Sequence, residues 1–339
     1  MKKKAITKKI SVNNLLYQLA ITWFNACKIK KLEVEGKENI SKGGYCIFVG
    51  NHTRLLDPLA FYSKVQKMPF LARDDFIDDI SPKLGGFGPR INKKKYDVNW
   101  AVNSVLSYVF DSIPVRRKGV KPTQLKTAKR KFKEKKSIVF FPMGTRSTTG
   151  SIYDMYNSSD ERTPGKLIDS LQRTIGEPAH IIPFALSYDE IINFGTVSIG
   201  NPFHIITDGV KADDKNLFYD KAVEKIMDNI GRQTKVYGDS LLAAIVTMAC
   251  KDLDEKQKYI LDTSILSGVF DYAVGEIIKN KEINIYNNLQ EKEFRDDCLD
   301  NFIKWAEREK IIYDKESSFL NLKEIKREPE RKNFPNKDV

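Results

Sequence analysis

The stretch Val49-Gly50-Asn51-His52-Thr53-Arg54-Leu55-Leu56-Asp57-Pro58 decides how the chain is read. An apolar run, Cys46–Val49, ends in glycine; a histidine follows, and an aspartate sits five residues on, just before a proline. A short apolar run bounded by turn signals reads as a buried strand, and Pro58–Val65 reads as a helix. The stretch is therefore a strand-to-helix junction. A histidine that accepts a proton needs a group on its other nitrogen to fix tautomer and orientation, and a carboxylate does this. Residues five apart are about 140° apart on a regular helix, so His52 and Asp57 meet only where the chain turns between them. The junction supplies such a turn. A second reading of Asp57 stands beside the first: aspartate at the N-cap with proline at N1 is a common helix start. A lone histidine at a strand end is also more often structural than chemical.

Outward from the junction, residues 32–210 alternate β-rich runs with helical patterns. Strands are expected at Leu32–Val34, Cys46–Val49, Ile113–Val115, Ile138–Phe141, Ile181–Leu186 and Val197–Ile199, with helices at Pro58–Val65, Val98–Phe110 and Pro122–Lys135. This alternation predicts an α/β fold with a mostly parallel sheet covered by helices. Ser41–Tyr45 and Ser81–Arg90 contain glycines and read as loops. The cluster Gly85-Gly86-Phe87-Gly88 lacks the strand-then-helix context of a dinucleotide fingerprint. Beyond Asp208 the patterns are helical: Lys215–Ile230 closed by Gly231, then Leu241–Cys250, Asp254–Ile278 and Leu289–Glu307. No strand signal of comparable strength accompanies them. The expected organisation is a basic amphipathic membrane-surface or docking helix over 1–31, an α/β domain over 32–231, a helical appendage over 232–322 and a flexible charged tail over 323–339.

Charge narrows the partners. The chain has 339 residues and a net charge of +12. Residues 1–31 carry +8 and residues 115–136 carry +10, so the other 286 residues carry −6. Basicity on that scale calls for an anionic partner: nucleic acid, a membrane surface or a phosphorylated substrate. The basic segments lack interleaved aromatics and any recognisable nucleic-acid module, which disfavours the first. Leu15–Ala26 is apolar between lysine-rich flanks, too short for the ~18–20 residues of a membrane span and without a cleavage pattern. It fits an interfacial or docking helix. The four cysteines, Cys27, Cys46, Cys250 and Cys298, have no metal-ligand spacing, and there are only three histidines. A disulfide framework, a metal and a cofactor are not expected, and a reducing, cytoplasmic setting is.

Three further segments could carry chemistry. Asp111-Ser112-Ile113-Pro114-Val115-Arg116-Arg117-Lys118-Gly119 sends two arginines off a strand edge, a placement suited to bidentate phosphate binding or to a solvated basic loop. Phe140-Phe141-Pro142-Met143-Gly144-Thr145-Arg146-Ser147-Thr148-Thr149-Gly150 runs a buried strand into a turn whose amides and arginine can cradle an anion, or into an ordinary turn. Ile181-Ile182-Pro183-Phe184-Ala185 reads as core, or as a wall for an acyl chain.

In order along the chain, the four resemble the motifs of the glycerolipid acyltransferase family, which includes glycerol-3-phosphate and 1-acylglycerol-3-phosphate acyltransferases. His52 with Asp57 looks like its H-x4-D motif. Ile113–Arg117 looks like its second motif, with Arg117 at the basic position. Phe141–Ser147 looks like its F-P-E-G-T-R-S motif, and Ile182-Pro183 like its proline-bearing strand. The resemblance covers roughly residues 30–230.

It implies transfer of a fatty acyl group from acyl-CoA or an acidic acyl carrier protein to a hydroxyl of a phosphorylated acceptor. His52 is the implied base and Asp57 its orienting partner. Arg117 and Arg146 hold phosphate, while Gly144, Thr145 and Ser147 shape the turn. The implied setting is peripheral, on an anionic membrane surface. One position departs from the pattern: Met143 stands where the family usually has glutamate, which bears on the acceptor and keeps open a non-glycerol acceptor or a catalytically inactive lipid-binding protein. Cys46 reads as a buried strand residue rather than a nucleophile.

Overall fold

The computed structural model describes residues 31–40, 44–54, 57–66, 68–73, 111–115, 122–143, 162–189, 194–206, 209–211, 213–251, 260–280, 283–308, 312–314 and 319–321. The expectations for 1–30, the Ser81–Arg90 loop, the Val98–Phe110 helix and the 323–339 tail lie outside these residues. The chain divides into two compact units, 1–187 with 195–234 and 188–194 with 235–339.

The first seven strands along the chain are β1 (Lys31–Glu35), β2 (Cys46–Gly50), β3 (Leu71–Arg73), β4 (Ile113–Val115), β5 (Ile138–Phe140), β6 (His180–Asp189) and β7 (Phe194–Ile199). Five of them form a sheet in the order β1-β7-β6-β2-β5. β2 lies at its heart, parallel to β5 with Val49 opposite Phe140, and parallel to β6 with Gly50 opposite Phe184. β3 and β4 pair in parallel with each other. A parallel bridge from Phe70 to Val139, with the Val139 N–H donating to the Pro69 carbonyl at 2.8 Å, ties that pair to β5.

Both faces of the sheet are covered around β2 and β5, which is why these strands are apolar runs, while the edge strand β1 alternates as Lys-Leu-Glu-Val-Glu. Every residue of β2 is buried. On one face Ile47, Val49, Ile138, Phe140 and Ile181 pack with apolar residues of α2 (Pro122–Lys133), α3 (Thr163–Ile175) and α4 (Lys215–Gln233). On the other, Phe61 of α1 (Asp57–Lys64) meets Phe48 at 5.7 Å and Phe184 at 4.3 Å between ring centroids. The Phe184 ring lies over Gly50, where an added Cβ would fall 2.3 Å from it. Only glycine fits at that strand end.

Two elements, β3 and α3, have no counterpart among the expected ones, and the expected end of α4 is corrected. α3 carries its own signals, Pro164 at its start and Gly176 left-handed at its end (φ 77°), but Gly165 in its first turn weakens the pattern. Gly231 does not stop α4, which runs on to Gln233 and ends where Thr234 turns extended (φ −67°, ψ 122°).

The second unit is helical but not purely so. Its helices are α5 (Gly238–Lys251), α6 (Thr263–Lys279) and α7 (Lys292–Arg308), packed through Leu242, Val246, Leu266, Phe270, Leu299 and Phe302. The expected Asp254–Ile278 helix is shorter, because Ile260–Asp262 is a strand. That strand pairs antiparallel with Phe319–Asn321, which pairs antiparallel with Ile312–Asp314. A two-residue parallel pair joins Lys235–Val236 to Asn284–Ile285. Strands of two or three residues leave no periodicity to read. Among the described residues no helix is long and apolar enough to cross a membrane.

The packing at Gly50 makes a prediction. Gly50→Ala lowers unfolding free energy by about 1–3 kcal/mol through overpacking against Phe184, and Phe184→Leu in the same chain recovers part of the loss. Urea unfolding reads both; no cost for the alanine would place the Phe184 ring elsewhere.

Candidate active site

The site grows out of the C-terminal end of β2. Where β2 stops, Asn51 continues its pairing by side chain. The Asn51 Nδ2 donates to the Leu186 carbonyl at 2.9 Å, and the Leu186 N–H donates to Asn51 Oδ1 at 2.7 Å. Asn51 is 2% exposed, so both bonds are shielded from water and stronger for it. The reciprocal pair fixes the first residue of the turn on β6, and His52 is the next residue.

Asp57 then gathers the turn from the other side. Its carboxylate is fully buried, and Oδ2 lies 3.0 Å from His52 Nδ1. The same oxygen accepts from the Thr53 N–H at 2.7 Å and the Arg54 N–H at 2.8 Å. A buried carboxylate is tolerated only when hydrogen-bonded, and bonds to an ionised acceptor are the strong ones. These bonds run backwards into the loop ahead of α1 and onto the imidazole. Asp57 is the first residue of α1 rather than the residue before it, and its Oδ2 faces the loop amides and His52.

The carboxylate as acceptor sets the tautomer: Nδ1 carries the hydrogen and Nε2 the lone pair. Nε2 has no partner among the described residues, and the His52 side chain is 19% exposed. Phe141 stacks on the imidazole, centroids 4.6 Å apart and planes 25° from parallel, and meets Phe184 edge-on at 6.0 Å. One ring face is thus covered by apolar carbon. The arrangement offers a partly shielded, orientated lone pair, which is the geometry of a general base.

The remaining expected site residues divide. The described chain leaves β4 at Val115 and β5 at Met143, so Arg117, Gly144, Thr145, Arg146 and Ser147 lie outside the described residues. β4 and β5 run in the same direction as β2, through β3. Met143 is described and does not behave as a substrate contact. It is 5% exposed and packs in the core with Val49, Phe140 and Ile168. The departure from the family pattern therefore falls on a packing position, and the expectation that this side chain bears on the acceptor is corrected. Ile181, Ile182 and Phe184 are wholly buried and read as core. Cys46 is buried on β2, and that burial pushes its thiol above the ordinary range, against a weaker lowering by a Ser137 hydrogen bond. A thiol of that kind is a poor nucleophile at neutral pH. Among the described residues no three His, Cys, Asp or Glu side chains group as metal ligands.

Two contributors had no role assigned from sequence. Asn51 carried a signal, a lone amide at the end of an apolar run. Phe141 carried none, because an aromatic after a strand reads as core.

No family model and no curated protein matches the chain. Among solved structures, it is similar to the 1-acyl-sn-glycerophosphate (LPA) acyltransferase PlsC from Thermotoga maritima, at 19% identity over 63% of this chain and 76% of that one, with a TM-score of 0.36. A likeness that distant decides nothing about the chemistry.

Two substitutions test the geometry by urea unfolding. Asp57→Asn keeps an oxygen for the Thr53 and Arg54 amides and costs about 1 kcal/mol, whereas Asp57→Ala orphans both and costs about 2–4 kcal/mol. Equal losses would mean that charge, not the acceptor, holds the turn. Met143→Glu buries an unpaired carboxylate and costs about 3 kcal/mol or more. Unchanged stability would put that side chain at the surface.

Proposed function

We propose that the protein is an acyltransferase that moves a fatty acyl group from a thioester, acyl-CoA or acyl carrier protein, to a hydroxyl of a phosphorylated glycerol-type acceptor. Glycerol 3-phosphate and lysophosphatidate are the acceptors the motif set favours, and a peripheral position on an anionic membrane surface goes with them. One observation carries the reading: His52 is held through Nδ1 by the fully buried Asp57, with Nε2 unpartnered among the described residues at the end of a central parallel strand.

In this mechanism Nε2 removes the acceptor hydroxyl proton as the oxygen attacks the thioester carbonyl. The new C–O bond gives a tetrahedral intermediate. Its collapse breaks the C–S bond, and the departing thiolate takes the proton back from the imidazolium. Asp57 stabilises the charged ring between the two transfers. Base assistance of this kind is worth roughly 10²–10⁴ in rate. Arg117 and Arg146, which follow β4 and β5 in the chain, are assigned to the acceptor phosphate, with Gly144, Thr145 and Ser147 shaping the turn around it. Anchoring the phosphate presents the hydroxyl to Nε2, which is the proximity contribution. No acyl-enzyme is needed, in keeping with the buried, raised-pKa Cys46.

The test is an acceptor screen read by mass spectrometry, with labelled acyl-CoA and labelled acyl carrier protein as donors. The wild-type protein is expected to acylate a phosphorylated glycerol acceptor, and His52→Ala to slow that transfer by about 10²–10⁴. Transfer that survives His52→Ala at the wild-type rate removes the base assignment.

A further inference from the structure

The cations of α2 and of the turn that follows it are of two kinds. Lys131 is buried; its Nζ donates to the Asp111 carbonyl at 3.1 Å and pairs with the Asp111 carboxylate. Lys136 lies 3.8 Å from Asp111 and 3.3 Å from Glu134. Those two are neutralised. Lys126, Lys129, Arg130 and Lys133 have no acidic partner among the described residues. At 100° per residue the four fall within an arc of about 100°, centred about 120° around the helix from Leu125, Ala128 and Phe132, which face the core. Lys126, Arg130 and Lys133 are exposed, and Lys129 is half-buried. Like charges three and four residues apart cost helix stability, roughly 0.2–0.5 kcal/mol per pair. Arg130 and Lys133 stand in the last turn, where the helix dipole favours cations, and Lys126 and Lys129 draw no such support.

The stripe's direction distinguishes its partners. α2 carries the chain from the end of β4 to the start of β5, and its last turn is tied to Asp111, which sits just ahead of β4. The helix therefore runs against the parallel strands, with its first turn toward the His52 end. From Lys126 to Lys133 the stripe spans about 10 Å along that axis. A lipid surface laid across the His52 end would meet Lys126 and leave Lys133 beyond the ~8 Å screening length of physiological salt. A lipid surface laid along the helix would find no apolar side chain to insert, since none of the large exposed hydrophobics is on α2. A rod of carboxylates aligned with α2 meets all four cations at once.

We infer that the exposed face of α2 docks an acidic helix of a partner protein. Resting on the acyl-transfer reading, that partner is the protein that carries the thioester donor, steered to the rim of the His52 site by the stripe.

The experiment uses the full chain, K126E/K129E/R130E/K133E beside wild type, with holo-acyl carrier protein as the binding probe. The substituted face is solvent-exposed or half-buried, and circular dichroism checks the fold. Expected are salt-sensitive binding by wild type and about tenfold or greater loss in the variant. With palmitoyl carrier protein the variant's kcat/KM falls by a similar factor, while with palmitoyl-CoA it stays within about twofold of wild type. Equal binding by the two proteins overturns the proposal, as does a parallel fall with both donors. Loss of sedimentation with phosphatidylglycerol vesicles at unchanged carrier binding also overturns it and assigns the stripe to lipid. If wild type transfers from neither donor yet binds the carrier through the stripe, the acyl-transfer reading fails and the docking surface stands.

Discussion

One oxygen atom holds the site together. Asp57 Oδ2 faces the imidazole of His52 and accepts the backbone amides of Thr53 and Arg54, in a place water does not reach. Removing a carboxylate from water costs several kcal/mol, and that cost is offset only while its donors are in place. Residues 52–54 therefore have little freedom: a conformation that frees any of the three donors leaves a buried charge under-paired. Asn51 closes the turn from the other side by binding the backbone of β6 with both ends of its amide. Between these anchors the histidine has one orientation, and Phe141 limits the ring further by stacking on it.

The sheet makes this arrangement possible. β2 is wholly buried between β5 and β6, and its end is aligned with theirs by the parallel register. The tip of the Phe184 ring sits over Gly50, and the same ring packs on Phe61 of α1, the helix that Asp57 opens.

Much of this was legible in the residues, for definite reasons. Sheet strands buried on both sides are continuous apolar runs, so Cys46–Val49, Ile138–Phe141 and Ile181–Leu186 stood out. The His52–Asp57 pairing was legible as a possibility, because only a turn can bring a spacing of five together; geometry then showed one aspartate opening a helix while holding the loop and the histidine. Met143 was misleading. A residue type compared with a pattern says nothing about which way the side chain points, and here it points into the core. The short strands of the second unit escaped because two or three residues carry no period. α2 was legible as a basic amphipathic helix, but not the division of its cations. That division depends on Asp111, twenty residues from Lys131, which pairs with Lys131 and with Glu134 flanks Lys136, and leaves the outer face charged.

The central claim is that Asp57 fixes His52 as the Nδ1–H tautomer, with the Nε2 lone pair directed outward. It is tested most directly by ¹⁵N NMR of histidine-labelled protein at a pH where the ring is neutral, with His52 assigned by the resonance lost in His52→Gln. The account predicts a protonated Nδ1 and an unprotonated Nε2 in wild type, and a mixed tautomer population in Asp57→Asn. A wild-type His52 protonated at Nε2 would contradict it.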